Sequence, residues 1–229
     1  MEGFTYVDLF ATKGIEYILV IGFLIIFIIY WKFLSRTPVE SLKMPSNSRA
    51  GGEWFHLAKN VYYHPGHSWV RPEKNDIVKV GIDDFAQKLL GKADSLVLPE
   101  VNFHLEQGDI GWKVQSDSKL IDILSPVHGE VIAVNEDALK SPELLEHDPY
   151  DKGWLLKVRV PKMKTNLRNL LSGKLAVVWM ENTIQTLREK MAGDLGMVMQ
   201  DGGLPVSGFA RAMSPEKWDE IAAEFLLTK

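Results

Sequence analysis

The sequence predicts a mainly β domain with an N-terminal transmembrane helix and an α-helical C-terminal extension. Three observations point there. An apolar run lies near the N-terminus, short alternating segments broken by Gly, Pro and Asp fill residues 54–162, and helical apolar stripes follow residue 163. The chain of 229 residues is long enough for one sizeable domain with additions. Its 26 Lys+Arg against 30 Asp+Glu give a net charge of -4, and no basic run is present. Nucleic-acid binders concentrate basic residues on one face, so that partner class is excluded. The absence of cysteine excludes a disulfide framework, a thiolate metal site and a Cys nucleophile.

The first element is the stretch Tyr17 to Leu34, whose segment Ile18–Tyr30 carries no charge. Tyr17, Tyr30 and Trp31 stand where interfacial aromatics would, so the sequence predicts a membrane anchor. A secretory signal is the competing reading, but it needs a basic opening and a small-residue cleavage site, and residues 1–16 and 31–36 supply neither. Lys13 precedes the run, whereas Lys32, Arg36, Lys43 and Arg49 follow it. By the positive-inside tendency, the short N-terminus (1–16) is expected outside an inner or cytoplasmic membrane crossed once, with the main domain in the cytoplasm. Residues 35–53, rich in Pro, Ser, Gly and Asn, are expected to form a flexible linker.

Through 54–162 the expected strands are Ile77–Ile82, Asp94–Pro99, Gly111–Gln115, Lys119–Leu124, Glu130–Asn135 and Trp154–Val160. Short strands at this spacing indicate a barrel or sandwich. Asp83–Leu90 reads as a helix with Phe85, Leu89 and Leu90 on one side, and Pro142–Leu145 as a second helical turn. The acid pairs Asp83-Asp84 and Glu136-Asp137 read as solvated loop residues. His64 and His67 form a His-x-x-His run without further ligands nearby, so they read as structural and no metal is expected. His104, His128 and His147 fall on expected loops. No Ser-His-Asp order, Gly-x-Ser-x-Gly elbow or phosphate loop is present, and the chain does not read as an enzyme.

The same residues carry a family resemblance. YYHPGHSWVRPE (62–73), VGIDDFAQKLLG (80–91), LVLPEV (96–101) and SPVHGEVIAVNEDALKSPELLEHDPYDKGWLLKV (125–158) occur in the order and spacing of the glycine cleavage system H protein. The chain resembles that family, and the resemblance implies a lipoyl-type barrel-sandwich hybrid of two small sheets. It also implies a lysine at a hairpin tip that carries lipoate as a swinging arm. The family places that lysine seven residues before the Ser of Ser-Pro, which here is Ser125. The aligned residue is Ser118, which has no amine, and Lys119 follows one position later. Because strand side chains alternate in direction, one residue of displacement changes what a hairpin presents.

Beyond residue 162 the extension 163–229 carries a stripe at Leu175, Val178, Met180, Ile184, Leu187 and Met191, and a turn at Asp201-Gly202-Gly203 suggests a short hairpin over 197–206. Ser214-Pro215 reads as a helix start, with Trp218, Ile221, Ala222, Phe225 and Leu226 on one face. The stripes are expected to pack on the barrel, and Leu204-Pro205-Val206 with Phe209 to face a partner. The expected function is that of a non-catalytic, membrane-anchored accessory subunit of a membrane-bound, respiratory or redox complex. It would carry no cofactor and contact the bilayer through 17–34. The alternative is a lipoylated carrier using Lys119.

Overall fold

The computed structural model describes residues 9–34, 54–192 and 205–228, which belong to two compact units, 1–48 and 49–229. The expected linker 35–53, the residues preceding Leu9 and nearly all of the expected hairpin over 197–206 lie outside the described residues.

The first unit holds one helix, α1 (Leu9–Leu34). It begins well before Tyr17 because Leu9 to Glu16 contain no helix breaker other than Gly14. From Tyr17 to Tyr30 its large apolar side chains are exposed on all sides, and Phe23 and Phe27 stack at 6.2 Å. Among the described residues, no helix is long and apolar enough to cross a membrane. That finding overturns the single-pass anchor, its N-outside orientation and the cytoplasmic-membrane placement. The physical reason is length: the charge-free stretch between Glu16 and Lys32 covers roughly 22 Å at about 1.5 Å per residue. A hydrocarbon core is about 30 Å thick.

The second unit is built on two antiparallel sheets. The larger joins β1 (Tyr62–Tyr63), β2 (Ser68–Pro72), β3 (Ile77–Ile82), β5 (His104–Leu105), β8 (Gly129–Val134) and β9 (Leu156–Arg159) in the order β1-β2-β3-β9-β8-β5. The smaller joins β4 (Ser95–Val97), β6 (Ile110–Ser116) and β7 (Lys119–Leu124). Alternation explains the faces: in β3, Val78, Val80 and Ile82 are buried, and in β7, Ile121 and Ile123. These side chains share one core with Trp112, Val114, Val131 and Val158. Trp69 of β2 is fully buried and donates its indole N–H to the Ile82 carbonyl at 2.8 Å.

Helix α2 (Asp84–Leu90) starts where the sequence predicts because Asp83 is its N-cap, accepting from the Ala86 N–H at 2.8 Å. The expectation of a solvated Asp83-Asp84 pair is wrong. Asp83 is fully buried and Asp84 is 7% exposed, since both are consumed by local partners: Asp84 accepts from Lys88 and from the His56 N–H. Glu136 and Asp137, by contrast, are exposed at the start of α3 (Glu136–Lys140). Helices α4 (Leu144–His147) and α5 (Met163–Arg168) follow.

The extension packs on this domain. In α6 (Gly173–Ala192) Ala176, Met180, Ile184, Leu187 and Met191 are buried, whereas Leu175 and Val178 of the predicted stripe are exposed. Helix α7 (Phe209–Met213) buries Phe209, its ring 5.6 Å from Phe85 and 6.0 Å from Phe55. Phe209 therefore belongs to the core and does not face a partner. Helix α8 (Trp218–Phe225) starts three residues later than Ser214-Pro215 suggested, and Lys217 rather than Ser214 precedes its first turn. Its Trp218, Ala222 and Phe225, with Leu226, are buried, as their spacing requires.

Two glycines set the join. Gly91 ends α2 with φ +75°, and a Cβ there would lie 2.8 Å from the Gly208 Cα, while the Gly208 N–H donates to the Lys88 carbonyl at 2.7 Å. Gly91→Ala is expected to cost about 2–4 kcal/mol, from strained φ and from forcing α7 away. Urea unfolding measures it, and a loss below about 0.5 kcal/mol would show that the α2–α7 approach is not tight.

Candidate functional site

The site is the β6–β7 hairpin. Ser116 pairs with Lys119, leaving Asp117 and Ser118 as a two-residue turn with φ of +47° and +62°. Two successive positive φ values are those of a type I′ hairpin turn, whose twist matches that of the strands. Asp94 fixes the turn from outside, accepting from the Asp117 N–H at 2.7 Å. Ser95 and Gln115 bond across the neighbouring strands at 2.7 Å.

Ser118 is exposed in this turn, and Lys119 is the first residue of β7. The strand register thus puts the Ser118 hydroxyl in the turn and the Lys119 amine beside it. Their surroundings differ. The Lys119 ammonium donates to Asp219 Oδ1 at 2.5 Å and to the Glu216 carbonyl at 3.3 Å, and lies 5.7 Å from the Trp218 ring centre. Its side chain is 35% exposed and that of Asp219 38%. The hydrogen bond from Lys119 lowers the Asp219 carboxyl below the ordinary Asp value. A depressed carboxyl contributes to stability above its unfolded value and loses that contribution as pH falls through the folded one.

A second cation braces the hairpin. Arg211 of α7 stacks 4.8 Å from the Trp218 ring centre and donates to the Leu90 carbonyl at 2.7 Å and to Ser116 Oγ. Ser116 Oγ in turn donates to the Lys92 carbonyl at 2.7 Å. The Trp218 ring therefore has two cations near it, Lys119 of the hairpin's last pair and Arg211, which bonds the other member of that pair. Sequence reasoning missed Arg211, Trp218 and Asp219 at this site. The only sequence signal was the apolar face of the last helix, which says nothing of what that helix covers.

The histidines do not form a second site. His67, with φ +62°, is 1% exposed, bonded through Nδ1 to Asp83 at 2.8 Å and stacked 4.1 Å from Phe85. Burial lowers the His64 pKa, with His67 adding to the effect. Burial raises the Tyr63 hydroxyl to about 12 and pushes Tyr150 well up. Both tyrosines donate to backbone carbonyls, Tyr63 to Ala58 and Tyr150 to His56. His104, His128 and His147 are exposed, and among the described residues no cluster of three or more metal-ligating side chains occurs.

A family model described as glycine cleavage H-protein matches residues 61–183. The chain belongs to the glycine cleavage H-protein family. A second model, described only as "Protein", matches residues 4–37. A probable glycine cleavage system H protein of Pyrococcus furiosus is 37% identical over 120 residues, covering 52% of this chain and 89% of that one. The glycine cleavage system H protein of Mycobacterium avium is 45% identical over 104 residues, 45% of this chain and 79% of the relative. A crystal structure of the corresponding protein of Mycobacterium marinum aligns with a TM-score of 0.43 at 29% identity, over 46% of this chain and 87% of that one. The family match ends at residue 183, so α7 and α8, which carry Arg211, Trp218 and Asp219, lie beyond it.

Members of this family normally carry lipoate on a lysine. Lipoate is joined to that lysine by an amide, which requires a primary amine. Ser118 has none, and the Lys119 amine, one position later, is bonded to Asp219 of α8.

Proposed function

We propose that this is an H-protein-type carrier domain in which Lys119 is the residue that takes lipoate. The observation that carries the reading is the tight β6–β7 turn, which sets a primary amine one position from its apex in a member of a lipoyl-bearing family. When attached, lipoate supplies a redox-active disulfide at the end of a flexible chain. The protein's own part is to hold the hairpin rigid: Asp94 fixes the turn, Arg211 braces Ser116, and Lys119 points its amine out of the core. In this role the chain is a substrate carried between other enzymes and has no catalytic set of its own.

A second reading is favoured by Ser118 at the aligned position and by the Lys119–Asp219 pair. In it the domain is an unmodified accessory subunit kept for its shape. Nothing in the fold or the relatives supports attaching such a subunit to a membrane complex.

The mass of the peptide spanning Val114–Glu130, from protein made in its native cells, decides between them. The carrier reading expects a lipoyl increment on Lys119 that Lys119→Ala abolishes while the fold persists. An unmodified peptide, in cells whose other lipoyl proteins are loaded, would sink it and leave the accessory reading.

A further inference from the structure

The C-terminal helices are not loosely attached. Trp218 is 2% exposed, and Phe209, Ala222 and Leu226 are fully buried among domain residues. Withdrawing α8 would return this apolar surface to water, a large penalty. The contact between α8 and the Lys119 amine is of another kind. It is a half-exposed ion pair, weakened by solvent and broken by rotation of a long side chain.

We propose that Asp219 is a positioning residue for Lys119: it parks the unmodified amine on α8, and conversion of that amine to an amide frees the side chain while α8 stays in place. This rests on the carrier reading above. The chemistry follows from charge. The ammonium offers several N–H donors and a full charge to Asp219 Oδ1 and the Glu216 carbonyl. Acylation forms a bond from the Lys119 nitrogen to the acyl carbon and breaks the bond from that carbon to its leaving group, which departs with the electron pair. The nitrogen gives up two protons. The amide that remains is neutral with one N–H, so it loses the ion pair with Asp219. An unmodified arm is therefore held on the helix and a modified arm is free to swing.

The test uses the full-length protein and a limiting amount of the N-hydroxysuccinimide ester of acetic acid, an activated acyl donor. Peptide masses give the rate of acetylation at Lys119 relative to Lys113 and Lys140 in the same molecule. Asp219→Asn is expected to raise the Lys119 rate roughly three- to fivefold, the scale of losing one exposed ion pair, with both reference lysines unchanged. Amide hydrogen exchange over residues 218–225 is expected to stay as in the parent. An unchanged relative rate would overturn the parking role. Faster exchange along α8 in Asp219→Asn would overturn the claim that the helix stays. In Lys119→Gln, a neutral stand-in for the acylated side chain, the Asp219 carboxyl followed by NMR is expected to titrate higher than in the parent, because the largest cause of its lowering is gone. A carboxyl as depressed as in the parent would equally overturn the proposal. None of these outcomes depends on lipoate: finding no lipoate on Lys119 removes the carrier reading and leaves the measured rate ratio standing.

Discussion

Trp218→Ala is expected to destabilise the second unit by about 3–5 kcal/mol, the range for truncating a buried aromatic. The ring is 2% exposed and belongs to the shared core, so its removal leaves a cavity that the neighbouring backbone cannot fill. The loss reaches further than the cavity. Arg211 rests 4.8 Å from the ring centre while bonded to the Leu90 carbonyl and Ser116 Oγ, and Lys119 lies 5.7 Å from it. Without the ring both cations lose their platform, and the hairpin end loses its brace. Urea unfolding is the measurement, with hydrogen exchange across 110–124 as the local readout. Exchange in the hairpin is expected to quicken more than in β3 or β9. A cost below about 1 kcal/mol would mean that the extension is not part of the core.

Asp83→Ala is the second large effect, about 2–4 kcal/mol. One carboxylate oxygen caps α2 through the Ala86 N–H, worth about 1 kcal/mol. The other bonds His67 Nδ1 at 2.8 Å in a site where His67 is 1% exposed. Removing the acceptor strands a buried ring N–H, which costs about 1–3 kcal/mol more. His67 cannot turn away, because it is stacked at 4.1 Å on Phe85 and 4.7 Å from Trp179. Asp83→Asn retains one acceptor oxygen and is expected to lose about half as much. Equal losses for Asn and Ala, measured by urea unfolding, would show that charge rather than the two hydrogen bonds sets the effect.

Much of the local architecture is legible in the amino-acid order alone. Ile77–Ile82 alternates, both it and Lys119–Leu124 form strands with the expected bounds, and the Asp at 83 marks the start of α2. The blocks from Tyr62 to Val158 point to the family to which the chain belongs. The apolar run near the N-terminus is legible as a helix, but its length does not support the membrane crossing read into it. The strands β1, β2 and β5 escape notice. Tyr62–Tyr63 and His104–Leu105 are too short to show a period, and Ser68–Pro72 has no alternation because three successive residues are buried.

Local pattern determined, then, the bounds of β3 and β7, the start of α2, and that an amine adjoins a hydroxyl at 118–119. Periodicity and turn chemistry act over a few residues, and those are all they can encode. Tertiary structure decided the rest. Asp83 reads as a surface acid until β2 brings His67 to it, and Phe209 reads as a loop residue until Gly91 admits Gly208. Lys119 reads as a free amine until Asp219, one hundred positions later in the chain, is packed beside it. Each depends on a meeting of distant segments driven by apolar burial, which carries no direction along the chain and so leaves no mark in any short stretch of it.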